Sequence, residues 1–235
     1  MKPRLIIMDN REDASVLAAE QIAAALTGTI CANGNASFMA SGGSTPAHMF
    51  SVLSESDIDW QDITVGLVDE RWVAPDHPAS NERLVRQKLL KGRAAAATFL
   101  PMKTGAATPD DAVVDRSAAY APACEPISCI LLGMGSDGHT ASWFPGAAGL
   151  EAAFDPEGAI VAAIDASNSP LAGDEPLRIT LTSAPVCSAK TGILLLFGED
   201  KRAVLDQALA GDERTFPVRR AIDGLGARLS IIWAP

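Results

Sequence analysis

His139 and Asp137 stand two residues apart in Gly133-Met134-Gly135-Ser136-Asp137-Gly138-His139-Thr140-Ala141-Ser142-Trp143-Phe144-Pro145-Gly146, directly after the apolar run Ile130-Leu131-Leu132. Imidazole is the side chain that takes up and returns a proton between about pH 5 and 8, and a neighbouring carboxylate can orient the ring and stabilise its charged form. Glycines around both residues let the backbone approach a ligand closely and turn its NH groups inward. Taken alone, the loop equally fits a turn in which Asp137 caps a helix and His139 is a surface polar group.

Three other segments pair strand ends with reactive groups. Ser41-Gly42-Gly43-Ser44-Thr45-Pro46 follows an apolar strand and opens a helix, which supplies NH groups, two hydroxyls and the positive end of a helix dipole to an anion. An ordinary capped helix start with proline in its first turn is the plainer reading. Asp69-Glu70-Arg71 follows Val65-Gly66-Leu67-Val68; Arg71 suits a phosphate or a polarised carbonyl, or a local ion pair with its acidic neighbours. Lys201, in Gly198-Glu199-Asp200-Lys201, sits in a first helical turn where the macrodipole disfavours a cation, so an anionic ligand would explain it, as would exposure to solvent. Arg178, Arg219 and Arg220 are further cations able to converge on such a ligand. His77 reads as part of a turn leading into a helix capped by Ser80.

Elements of alternating period must position these groups. Apolar runs predict strands at Arg4–Met8, Ala36–Ala40, Ile63–Val68, Ile127–Leu132, Ile160–Ile164, Ile179–Leu181, Ile193–Phe197 and Leu229–Trp233. Helical segments fall at Glu12–Ile30, with Val16, Ala19, Ala23, Leu26 and Ile30 inward, and at Pro46–Leu53, Asn81–Leu90, Asp110–Tyr120 and Asp200–Ala210. The order predicts an α/β fold: an open, mostly parallel, Rossmann-like sheet with helices on both faces, in a single domain spanning 1–235. Ligands of such sheets bind beyond the carboxyl ends of the strands, where all four loops lie.

Composition narrows the function. The 235 residues are 48% hydrophobic and 20% charged, ordinary for a globular chain, and the net charge of −10 without a basic run disfavours nucleic acid or an anionic membrane surface. The N-terminal apolar run is too short for a signal peptide, and no apolar stretch reads as a membrane span, which together predict a cytoplasmic protein. Cys31, Cys124, Cys129 and Cys187 lack zinc-site spacing and read as free thiols; no metal site is expected. The chain has no Gly-x-Gly-x-x-Gly after its first strand and no Gly-Lys-Ser/Thr phosphate loop, so no nucleotide cofactor is expected, and none of another kind.

The blocks SGGSTP (41–46), DERWVAPDHPASN (69–81), GMGSDGHTASWFPG (133–146), RITLT and GEDK (within 178–201) occur in the order and spacing of the glucosamine-6-phosphate isomerase/6-phosphogluconolactonase family, which the sequence resembles across most of its length. The deaminase branch carries a glutamate five residues after the loop histidine, where this chain has Phe144, so the resemblance favours the lactonase branch. It implies a phosphorylated sugar lactone as substrate, hydrolysed with His139 as general base, Asp137 as its orienting carboxylate and Arg71 stabilising the developing oxyanion. It implies Gly42, Gly43, Ser44, Thr45, Asp69, Arg178 and Lys201 as substrate and phosphate ligands, in a monomer or small homo-oligomer. Trp143, Ala74 and Ala79 depart from residues common in the family without removing chemistry. The alternatives are a glucosamine-6-phosphate deaminase/isomerase using Asp69 as base, and a non-catalytic sugar-phosphate sensor, which retention of both Asp137 and His139 disfavours.

Overall fold

The central strands of the main sheet are mostly apolar and buried because helices cover both of its faces, while the edge strands are partly exposed. In the computed structural model, which describes residues 2–235, the strands of this sheet are β1 (Arg4–Ile7), β2 (Ala36–Ala40), β3 (Ile63–Leu67), β5 (Thr98–Phe99), β6 (Cys129–Leu132), β9 (Thr191–Phe197) and β10 (Leu229–Ala234). All pair in parallel, in the order β1-β10-β9-β6-β2-β3-β5. From β2 the chain winds through β3 to β5, and from β6 it winds the other way through β9 to β10. The reversal between β2 and β6 opens a crevice at their carboxyl ends.

The helices are α1 (Arg11–Asn33), α2 (Ala47–Leu53), α3 (Asn81–Lys88), α4 (Pro109–Tyr120), α5 (Leu150–Phe154), α6 (Ser183–Ser188), α7 (Glu199–Ala210) and α8 (Val218–Leu225). Their ends follow local chemistry. Asn10 accepts from the Asp13 NH at the start of α1, and Gly34, at φ +80°, closes its end. Thr108 and Asp111 form a reciprocal capping box on α4 with Pro109 in the first turn, and Ser80 caps α3 as expected.

Four expectations are corrected. The stretches expected as parallel strands near 160–164 and 179–181 form β7 (Val161–Asp165) and β8 (Leu177–Leu181), which join β4 (Asp69–Arg71) in a separate antiparallel sheet ordered β4-β8-β7. Asp69-Glu70-Arg71 is thus a strand, not a loop: the chain leaves the main sheet at Val68, whose NH bonds Ala40 O while its carbonyl accepts from Leu181 N. The buried face of α1 is Ala14, Ser15, Ala18, Ala19, Ile22 and Leu26, about one residue round from the expected stripe. So many alanines give weak apolar contrast, and small side chains decide the approach to the sheet. By length and composition α1 is also apolar enough to cross a membrane, contrary to expectation; here that apolar surface includes the face it packs into the core.

Tyr120 ties the last turn of α4 to the sheet. Its buried hydroxyl accepts from Leu67 N at 3.1 Å and donates to Leu100 O at 3.0 Å, fixing the strand end from which β4 departs.

Candidate active site

The carboxyl ends of β2, β3, β6 and β9 enclose a cleft of about 250 Å³. His139 lines it, with its Nδ1 2.6 Å from Asp137 Oδ1, and the same oxygen accepts the His139 backbone NH at 3.1 Å. Asp137 therefore caps no helix; it closes a tight loop on the imidazole. Burial would push the Asp137 carboxyl up, but the hydrogen bond and charge of His139 outweigh it and hold the group below the usual carboxylate value. An ionised Asp137 places the proton of a neutral ring on Nδ1 and leaves Nε2 as the acceptor.

Glycine makes this pair possible. A Cβ on Gly135 would lie 2.1 Å from His139 Nδ1 and 2.6 Å from Asp137 Oδ1, and Gly138, at φ +78°, abuts Phe216. The loop is anchored by Thr140 Oγ1 to Gly133 O at 2.7 Å and by Val218 N to Gly138 O at 2.9 Å. Beneath it Trp143 is fully buried and donates from Nε1 to Leu181 O at 2.9 Å, which pins the loop to the small sheet. Phe144, 1% exposed, lies against the imidazole with ring centroids 4.1 Å apart, and the Arg178 guanidinium sits 5.5 Å from the same ring.

Cations line the other walls. Arg71 and Arg178 are cross-strand partners of β4 and β8, so both side chains emerge on one face of the small sheet and reach the cleft. Neither forms an ion pair with its acidic neighbours among the described residues. Arg71 donates from one terminal nitrogen to Ala79 O, and its buried Nε has no partner; Arg178 spends Nε on Glu175 O and one terminal nitrogen on Ala172 O. Burial pulls the Arg178 guanidinium below its usual value, opposed chiefly by Asp69. Lys201 enters from the first turn of α7; burial lowers its pKa while Asp137 and Asp200 raise it.

Gly42, Gly43, Ser44 and Thr45 also line the cleft, with Gly43 at φ +91°. A Cβ on Gly42 would lie 1.8 Å from Asn81 Oδ1, so only glycine lets this loop pass. The α2 helix that follows has seven residues and no side-chain cap, so Ser44 and Thr45 do not spend their hydroxyls capping it. Asp69, 6% exposed, accepts the Ser142 hydroxyl at 2.6 Å and Asn81 Nδ2 at 3.3 Å.

Each residue assigned from the sequence either lines this cleft or, for Asp137, backs a residue that does. Two suggested cations are elsewhere: Arg219 pairs with Asp223 at 2.7 Å, and Arg220 with Glu213 at 3.2 Å and Phe154 O at 3.0 Å. His77 stays in its turn, where its Nδ1 accepts from Ala79 N. Sequence reasoning missed Asn81, Ser142 and Ala141, the last a non-glycine residue at φ +52° on the cleft wall. Ser142 meets Asp69 from 73 residues away in the chain, a relation no local pattern encodes. Among the described residues no three His, Cys, Asp or Glu side chains converge as a metal site would require.

Fold and cleft together define an α/β protein that gathers an imidazole–carboxylate pair and three cations in one cleft at the switch point of a parallel sheet. The chain belongs to the family of glucosamine-6-phosphate isomerases and 6-phosphogluconolactonases, whose sequence profile matches residues 9–231. It is 39% identical to a 6-phosphogluconolactonase of Rhizobium meliloti (strain 1021) over 239 aligned residues, covering 100% of both chains. It is 41% identical to one of Pseudomonas aeruginosa, covering 95% of this chain and 91% of the other. Among solved structures it matches a 6-phosphogluconolactonase from Shewanella baltica OS155 with a TM-score of 0.94 and 35% identity, over 100% and 98% of the two chains. A monomeric glucosamine-6-phosphate deaminase, 17% identical, matches with a TM-score of 0.77 over 98% and 97% of the chains, which shows a shared fold alone.

Proposed function

We propose that this chain hydrolyses 6-phospho-D-glucono-1,5-lactone to 6-phospho-D-gluconate, the second step of the oxidative pentose phosphate pathway. The observation that carries the reading is the 2.6 Å contact between His139 and Asp137 in a cleft that also holds Arg71, Arg178 and Lys201. Relatives at 39% and 41% identity that bear the name 6-phosphogluconolactonase support the same assignment.

In the reaction, His139 Nε2 takes a proton from a water as its oxygen attacks the lactone carbonyl carbon. Asp137 holds Nδ1–H and stabilises the imidazolium that forms. The negative charge on the former carbonyl oxygen meets Arg71 and NH groups of the glycine loop. When the tetrahedral intermediate collapses, the bond from C1 to the ring oxygen breaks, the imidazolium returns its proton to that oxygen, and the new carboxylic acid ionises. Lys201, Ser44, Thr45 and Arg178 bind the 6-phosphate, and Gly42 and Gly43 let the backbone approach it. Asp69, held by Ser142 and Asn81, accepts hydrogen bonds from sugar hydroxyls.

The partner is this small sugar-phosphate lactone, with no nucleic acid or membrane and no cofactor, in a cytoplasmic monomer or small homo-oligomer. A coupled assay on freshly generated lactone, corrected for spontaneous hydrolysis, tests the reading. Turnover of the lactone without ammonia release from glucosamine 6-phosphate is the expected result. Ammonia release alone would assign the deaminase reaction, and binding without turnover of either would assign a sensor.

A further inference from the structure

Glu70 lies between two cleft residues of β4 and points away from both, since successive side chains of a strand alternate in direction. It is 1% exposed, yet every direction of its carboxylate is used. Oε1 accepts the backbone NH groups of Arg71 at 2.7 Å and Asn81 at 2.8 Å, and Oε2 accepts the Glu82 NH at 2.8 Å and the Ser80 hydroxyl at 3.0 Å. Asn81 and Glu82 open α3, so the carboxylate sits on the positive end of that helix. The turn it grips holds the neighbouring cleft residues: Ala79 O accepts from the Arg71 guanidinium, and Asn81 Nδ2 donates to Asp69 O at 2.8 Å and Oδ1 at 3.3 Å. On its other edge β4 pairs with β8, where Arg71 faces Arg178.

We propose that Glu70 is a positioning residue of this site: by locking β4 to the start of α3 it fixes where the Arg71 guanidinium meets the substrate carbonyl. This inference rests on the hydrolase reading above. Burial raises the Glu70 carboxyl and the four donors oppose it; they match an ionised carboxylate and no other group of its shape. Glutamine in its place turns an NH₂ toward donors whichever way the amide is set. The strand end then moves to relieve the clash, and a shift of about 1 Å in a group that stabilises the transition state costs roughly 10²-fold in rate.

The test is a double-mutant cycle of wild type, Glu70→Gln, Arg71→Ala and the double variant, with kcat, KM and Tm measured for each. Glu70→Gln is expected to lower kcat by about 10–10²-fold in the wild-type background and by less than about twofold where Arg71 is already absent, while its effect on Tm is the same in both. Equal fold losses in kcat in the two backgrounds, or wild-type kcat in folded Glu70→Gln, would overturn the proposal. Should Glu70→Gln fail to fold, Glu70→Asp, which keeps the charge but is one methylene shorter, replaces it in the same cycle with the same two outcomes. Wild-type turnover reports separately on the hydrolase reading. If the wild type does not turn over the lactone, calorimetric titration of the four proteins with 6-phosphogluconate decides: binding must weaken on Glu70→Gln only when Arg71 is present.

Discussion

The Asp137 carboxylate against Nδ1 leaves Nε2 as the free ring nitrogen of His139, a residue of the cleft, and the proposed mechanism depends on that asymmetry. His139→Ala removes the proton acceptor without touching the phosphate ligands, so kcat should fall by about 10²–10⁴ with KM little changed in the coupled assay. Near-wild-type turnover would reject the assignment. In the proposed reading Lys201 binds the 6-phosphate, and among the described residues it forms no ion pair. Lys201→Ala should mainly raise KM, and by a larger factor for the phosphorylated lactone than for unphosphorylated gluconolactone; equal factors for both would remove it from the phosphate site. His139 and Asp137 were legible in the sequence because they meet within one loop. Asn81 and Ser142 were not, because they reach Asp69 across 12 and 73 residues of chain. Nor could counting cations separate Arg178, which enters the cleft, from Arg219 and Arg220, which pair with Asp223 and Glu213.

At the scale of elements, the glycine loop and the small antiparallel sheet convert sequence neighbours into a site. A methyl group on Gly135 would occupy the space of the imidazole–carboxylate contact, 2.1 Å from one partner and 2.6 Å from the other. Gly135→Ala should therefore separate the pair and lower kcat by about 10²-fold or more, with a Tm close to wild type because the two side chains it displaces, Asp137 and His139, are partly exposed and stand outside the apolar core. A comparable drop in Tm, measured by thermal unfolding, would instead make the glycine a requirement of folding. Six of the seven strands of the main sheet were readable from their apolar runs; β5, only Thr98 and Phe99, was not, because two residues carry no period. The small sheet was not. Asp69-Glu70-Arg71 is too polar to read as a strand until Val68 carries it across to β8, and apolar content in β7 and β8 does not say which sheet they join.

For the molecule as a whole, a net charge of −10 surrounds a cleft built to hold an anion. A sugar phosphate carrying roughly two negative charges is repelled at a distance and attracted only once Arg71, Arg178 and Lys201 are close. Salt acts unequally on these two terms: at about 0.15 M ionic strength the Debye length is about 8 Å, longer than a hydrogen-bonded contact and shorter than the distance across the protein. Raising ionic strength from about 0.01 M to about 0.15 M should screen the repulsion more than the contacts, so kcat/KM for the phosphorylated lactone should rise, by about twofold. It should stay flat for unphosphorylated gluconolactone, which carries no charge for the field to act on. A fall of several-fold with salt for the phosphorylated substrate would mean that the cleft cations dominate the potential well beyond the cleft mouth and that the acidic surface does not oppose encounter.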